Sequence, residues 1–368
     1  MSNLNMGTVE LGLDAGLPLV LWGSPGIGKT AQVRQAAAER GWPVLEVIAS
    51  RRAPEDFGGW PVPSPEGLRF EPGAGFREFA VAAELAEGGI LFLDEVSCAP
   101  PAVQAALLTL ILDKRIGDWA LPDCIRVVAA ANPPDQAAGG WDLAAPAANR
   151  LMHLDWATPT VEQWTDWLLQ SSVRARDEGT PWAGGAGAKA RGVVSGFLSK
   201  RPSLLLQLPV DDVARGRAWP SPRSWEAACR LLAAGMAAGA PEAVVEAGII
   251  GCLGSGPGIE LSTYARELDL PDPEEVLRDP SSWTPDRARA DRTLATLAAV
   301  VAAFTGKMSQ PRYQAAWKVM ARACDGGQAG VAATAGRSLA KIGKIRSWKP
   351  PVEAGALFPI LKAAGLTF

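Results

Sequence analysis

The chain has 368 residues, 48% hydrophobic and 20% charged, so it can bury a sizeable core and is not a disordered polymer. Lys and Arg number 36 against 39 Asp and Glu; the net charge of −3 argues against a dedicated duplex-DNA binder. Five cysteines with no CxxC pair, and a single histidine (His153), argue against a zinc site, a disulfide framework or a His-cluster metal centre. No apolar run reaches the ~18–20 residues needed to cross a bilayer, and no basic leader followed by a long apolar stretch opens the chain. The expectation is a cytoplasmic protein of two to three domains, without membrane contact.

In chain order, apolar β-type runs at 19–22, 44–48, 90–93, 125–130 and 151–156 alternate with helical patterns, notably 28–40 and 102–112. Buried strands separated by helices predict a mostly parallel sheet covered on both faces. Two stretches interrupt the rhythm. Residues 51–75 carry Pro and Gly at close intervals; 114–123 reads as a short hairpin. The Pro-rich 61–65 reads as a hairpin tip. From about 158 the pattern is helical, at 160–172, 187–200, 222–239 and 241–253. The Gly/Pro/Ser stretch 254–258 reads as a hinge or turn. Helical patterns resume at 286–305, 311–324, 329–343 and 352–364. The predicted domains are 1–157, 158–256 and 257–368.

Gly23-Ser24-Pro25-Gly26-Ile27-Gly28-Lys29-Thr30 fits G-x-x-x-x-G-K-[ST] at every fixed position, with a strand entering and a helix leaving. Glycines let backbone N–H groups wrap an anion, and the helix start adds a favourable dipole. Lys29 should reach the β- and γ-phosphates of ATP, and Thr30 should coordinate Mg²⁺. The apolar run 90–93 ends in Asp94-Glu95, placing two carboxylates at a strand's C-terminal edge, where open α/β sheets bind ligands. Asp94 is expected to hold the Mg²⁺ shell, and Glu95 to polarise the attacking water. Asn132 ends the next strand, where its amide could orient that water without carrying charge.

Arg150, in Asn149-Arg150-Leu151, could complete a neighbouring subunit's site as an arginine finger. Ser221 reads as a helix N-cap with Pro222 in the first turn. That puts Arg223 near a helix start, unfavourable for a cation unless an anion neutralises it, and suggests a phosphate contact. His153, between Met152 and Leu154, reads as a structural histidine.

Taken in order, these elements resemble an AAA+ ATPase. Gly23–Thr30 matches its Walker A motif and 90–95 its Walker B; Asn132 matches sensor 1, Arg150 the arginine finger and Arg223 sensor 2. The insert 55–76 and the hairpin 114–123, with Ala131-Asn132-Pro133, resemble the MoxR group and its NirQ/NorQ/CbbQ relatives. At the finger the family usually has Asp-Arg; here it is Asn149-Arg150. The resemblance covers about residues 10–255. It implies a P-loop α/β parallel-sheet core with an all-helical lid; the helical patterns beyond, which match no part of that family, read as a helical C-terminal extension. It implies ATP hydrolysis with Mg²⁺ and a homo-oligomer, commonly a hexameric ring. It further implies a partner carrying a von Willebrand factor A domain, and chaperone-like remodelling of a protein client. Phe57, Trp60 and Trp119 are candidates either to grip a client or to pack the bases of their own loops. Two rival functions stand beside the remodeller: a nucleic-acid motor, which the acidic balance disfavours, and a slowly hydrolysing assembly scaffold, which Glu95 and Arg150 disfavour.

Overall fold

The structure is a computed structural model describing residues 2–133, 136, 143, 148–170 and 177–363. The chain divides into two compact units, Met1–Thr158 and Pro159–Phe368. The first carries all the strands of the described residues. Five of them, β1 (Leu19–Trp22), β2 (Val44–Ile48), β5 (Gly89–Asp94), β8 (Ile125–Ala131) and β9 (Met152–Asp155), form one parallel sheet in the order β2-β5-β8-β1-β9. Every strand pair is in a register that brings the carboxyl ends together: Trp22 lies opposite Ala131, and Ile48 opposite Asp94.

The near-continuous apolar composition of β5 and β8 follows from burial on both faces. On one face Val20, Leu91, Leu93, Val127 and Ala129 pack with residues of α3 (Pro54–Gly58), α4 (Ala74–Leu85) and α5 (Pro101–Asp113). Alternate residues such as Leu19, Leu21, Ile90 and Phe92 are also fully buried, as are Leu13 of α1 (Ser2–Asp14) and Ala36 and Ala37 of α2 (Lys29–Arg40).

Both interruptions fold. Residues 54–71 contain the short helix α3 and the hairpin β3 (Trp60–Ser64) with β4 (Gly67–Glu71); 115–120 form the hairpin β6 (Arg115–Ile116) with β7 (Trp119–Ala120). Only Pro65 of the Pro-rich run lies in the turn; Pro61 and Pro63 are in the strand. The two hairpins meet through Asp118. Its backbone N–H donates to the Phe70 carbonyl at 2.9 Å, and its carboxylate accepts from the Phe70 N–H at 2.9 Å. Phe70 therefore directs its polar groups away from β3. Its cross-strand partner Pro61, and Pro63 two residues on, turn their nitrogens to the open side, where proline has no N–H to offer.

Phe57 takes the second of its two expected roles, packing inward. It is fully buried, in the cluster with Val103, Leu107 and Ile116, because α3 turns its one apolar side chain under the sheet. Trp119 is half-buried, with the Arg77 guanidinium 5.6 Å from its ring centre. Trp60 is exposed.

The second unit is helical throughout its described residues, and the segments 159–256 and 257–368 both fall within it. Two apolar clusters organise it. One is built around Trp225, Phe197 and Leu232, the other around Phe304, Tyr313 and Trp317. The expected hinge at 254–258 is instead a helix start, Ser255–Glu267. Pro257 lies in its first turn, where no intrahelical N–H bond is due, so a breaker composition opens a helix at no cost. No described helix is long and apolar enough to cross a membrane.

Candidate active site

The carboxyl ends of β1, β5 and β8 supply the site. β1 runs into the loop 23–28, which needs its glycines for two different reasons. At Gly23 a Cβ would sit 2.7 Å from the Trp156 carbonyl oxygen, so no side chain fits. Gly26 (φ 77°) and Gly28 (φ 99°) are in the left-handed region, Gly28 as the residue that starts α2.

Lys29, the first residue of α2, is buried, and its ammonium folds back across the loop. It donates to the carbonyls of Gly23 (2.5 Å) and Ser24 (3.2 Å) and to Asn132 Oδ1 (2.9 Å). That last bond joins the glycine loop to the end of β8 across 103 residues of sequence. Thr30 Oγ1 donates to Asp94 Oδ2 at 3.0 Å, joining the start of α2 to the end of β5. All four of these sequence-predicted residues therefore meet at one edge of the sheet.

The donor set fits Mg-ATP. A hydroxyl and a carboxylate oxygen side by side are hard ligands of the kind Mg²⁺ takes when substrate phosphates and water complete its shell. A buried ammonium beside a left-handed glycine loop is a seat for phosphate oxygens. Burial pushes the Asp94 carboxyl above the ordinary carboxylate range, against the lowering effects of the Thr30 hydroxyl, the Glu95 amide and the Lys29 charge. A folded-state value above the unfolded one means that ionised Asp94 costs stability at neutral pH, and that the cost disappears as pH falls through it. Asp94→Asn removes the charge, keeps the bond accepted from the Glu95 N–H at its one oxygen, and can keep the Thr30 bond with the direction reversed, its amide N–H donating to Oγ1. It should raise the melting temperature of the nucleotide-free protein at pH 7, leave it unchanged near pH 3, and remove Mg²⁺-dependent turnover. A thermal melt at the two pH values and a phosphate-release assay check this.

Glu95 is exposed and has φ 58°, a strained conformation for a non-glycine residue that turns the chain sharply at the strand end. Its Oε2 accepts a hydrogen bond from Ser50 Oγ at 2.6 Å, from just beyond β2. That bond occupies one of the two carboxylate oxygens of Glu95. Ser50→Ala should therefore raise basal turnover severalfold, about 2- to 10-fold for one hydrogen bond, read as steady-state phosphate release; a fall would contradict this geometry. Ser97 is almost fully buried, and its Oγ bridges the backbone of Asn132, accepting from its N–H at 3.2 Å and donating to its carbonyl at 3.3 Å. Neither serine was found from the sequence. The available signal was position, a hydroxyl just past a buried strand and another just past the Asp94-Glu95 pair.

Arg150 is exposed in the turn that follows Ala148. Arg223 is exposed in the second unit, on the helix Pro222–Ala238. Ser221 caps that helix as expected, accepting from the Ser224 N–H at 3.2 Å, while the Ser224 hydroxyl accepts from the Ser221 N–H at 2.8 Å. The edge geometry described above stands without either arginine.

A five-stranded parallel sheet with this glycine loop at the carboxyl end of β1, followed by a helical C-terminal region, is a P-loop fold of the AAA+ kind. Residues 18–150 match the family model described as AAA domain (dynein-related subfamily). Midasin from Giardia intestinalis is 27% identical over 162 residues, which are 42% of this chain and 3% of that far longer protein. Among solved structures, NtrX from Brucella abortus is 18% identical, with 84% of this chain and 63% of that one covered and a TM-score of 0.33. A RuvB variant from Thermotoga maritima is 15% identical, with 85% and 86% covered and a TM-score of 0.36.

Proposed function

We propose that the protein hydrolyses Mg-ATP as a ring-forming, MoxR-like ATPase and uses the cycle to remodel or assemble a protein client. The observation that carries the reading is the double closure at the sheet edge: Lys29 on Asn132 and Thr30 on Asp94. Mg²⁺, when bound, supplies charge neutralisation at the phosphates. Gly23 to Gly28 cradle the phosphates, Lys29 exchanges its carbonyl partners for the β- and γ-oxygens, and Thr30 and Asp94 hold the ion. Glu95 accepts a proton from the attacking water, which Asn132 orients. Arg150 of a neighbouring copy meets the charge that develops on the transferred group. Arg223 adds a further phosphate contact from the helical lid, expected as residues 158–256.

The client-facing surface we assign to the β3–β4 hairpin, where Trp60, Leu68 and Phe70 are exposed. A partner with a von Willebrand factor A domain, a hexameric ring and a cytoplasmic location belong to the same reading. The test is a pull-down with Glu95→Gln, which should retain ATP and client together. Recovery of DNA alone, with ATPase steeply stimulated by DNA, would make this a nucleic-acid motor. Turnover unchanged by Glu95→Gln would count against the catalytic assignment of Glu95.

A further inference from the structure

The only histidine of the sequence is tied into the site at both of its nitrogens. His153 stands on β9 and is exposed, its ring stacked beside the Trp22 indole with centroids 6.0 Å apart and planes 14° apart. Trp22 Nε1–H lies 2.9 Å from His153 Nδ1, and His153 Nε2 lies 2.8 Å from the Ala148 carbonyl oxygen. An indole N–H can only donate, so Nδ1 is the bare nitrogen. The proton is on Nε2, which then donates to Ala148. The imidazole thus works as a relay of fixed polarity, accepting on one side and donating on the other.

What it connects is specific. Trp22 is the last residue of β1, adjacent to Gly23, whose carbonyl accepts from Lys29. Ala148 begins the turn that presents Arg150. Within that turn the same carbonyl accepts a long 3.4 Å bond from the Leu151 N–H, and the shorter bond from His153 ties it from outside. An imidazole at an exposed strand position gains little from burial. Both of its polar atoms are spent on joining these two segments.

We propose that His153 is a positioning residue that couples the glycine loop of its own subunit to the Arg150 turn, so that the arginine is presented correctly to the neighbouring copy's nucleotide. The proposal rests on the reading of Arg150 as an arginine finger. A guanidinium that meets developing charge must be placed to within a fraction of an ångström, and a misplacement of about 1 Å costs up to roughly 100-fold in rate.

The experiment compares steady-state ATPase of the full chain, nucleotide affinity by a fluorescent ATP analogue, and thermal melts for wild type, His153→Phe, His153→Gln and Arg150→Ala. His153→Phe keeps a ring against Trp22 but loses both hydrogen bonds. Its kcat should fall about 10- to 100-fold, with nucleotide affinity within about twofold of wild type. His153→Gln offers an amide oxygen to Trp22 and an amide N–H to Ala148, and should recover most of the rate. Arg150→Ala should lose at least about 1,000-fold, and His153→Phe added to it should cost nothing more, measured as single turnovers. If His153→Phe does not fold, Trp22→Phe breaks the relay from its other end and should show the same loss of kcat. With one histidine in the chain, the imidazole ¹⁵N spectrum gives a single pattern, expected to be that of the Nε2–H tautomer.

An unchanged Arg150→Ala rate overturns the finger reading and this coupling with it. A slow Arg150→Ala beside a full-rate His153→Phe overturns the coupling alone. So does failure of glutamine to rescue, or a loss that persists on the Arg150→Ala background.

Discussion

Glu95→Gln should leave nucleotide binding within a few-fold of wild type and lower kcat by about 10²- to 10⁴-fold, the range for removal of a positioned general base. The carboxylate projects from the end of β5 past Asp94, on a residue held at φ 58°. Glutamine keeps the length and can still accept from Ser50. It cannot take a proton from water. Because Lys29, Thr30 and Asp94 are untouched, the phosphates and Mg²⁺ keep their contacts, and the variant should accumulate the ATP-bound state. Single-turnover hydrolysis together with equilibrium binding separates the two effects. A variant that lost affinity in proportion to rate would place Glu95 among the binding groups rather than at the water.

Lys29→Ala should act on the other parameter. The ammonium is buried and donates to Gly23, Ser24 and Asn132. Its removal leaves two carbonyls and the Asn132 amide oxygen without their donor, and takes the one side-chain cation out of the glycine loop. Charge-assisted bonds to phosphate contribute about 1.5–3 kcal/mol each. Loss of two such bonds should weaken nucleotide binding by at least about 100-fold. The orphaned acceptors should lower the melting temperature as well. Titration of a fluorescent ATP analogue, with and without Mg²⁺, measures the first effect and a thermal melt the second. Retained affinity would mean that the phosphates sit elsewhere.

The nucleotide edge was legible because its chemistry is local. The glycine loop needs glycines at fixed spacings, and Asp94-Glu95 follows an unmistakably apolar strand. The five strands of the sheet were legible too, β1, β5 and β8 most plainly, since burial on both faces leaves continuous apolar runs. Ser50 and Ser97 were not, because a serine after a strand is as good a turn residue as a ligand; only the fold shows that one reaches Glu95 and the other Asn132. Phe57 looked like a loop aromatic among Pro and Gly, yet a single turn of helix suffices to bury it. The helix start at Ser255 was hidden by composition, since Gly and Pro signal a break in the middle of a helix and permit one at its beginning. The second unit offers no motif comparable with the glycine loop. Its helices are held by apolar clusters, whose pattern tells that they pack without telling what they serve.

Pro61 and Pro63 on one margin of the β3–β4 hairpin, and Asp118 at Phe70 on the other, have a consequence for any extended polypeptide that touches this surface. Annealing there as a third strand is disfavoured, since Pro61 and Pro63 offer no N–H on one margin and both backbone groups of Phe70 are taken by Asp118 on the other. The polypeptide is left with apolar side-chain contacts, which are indifferent to sequence and quickly broken.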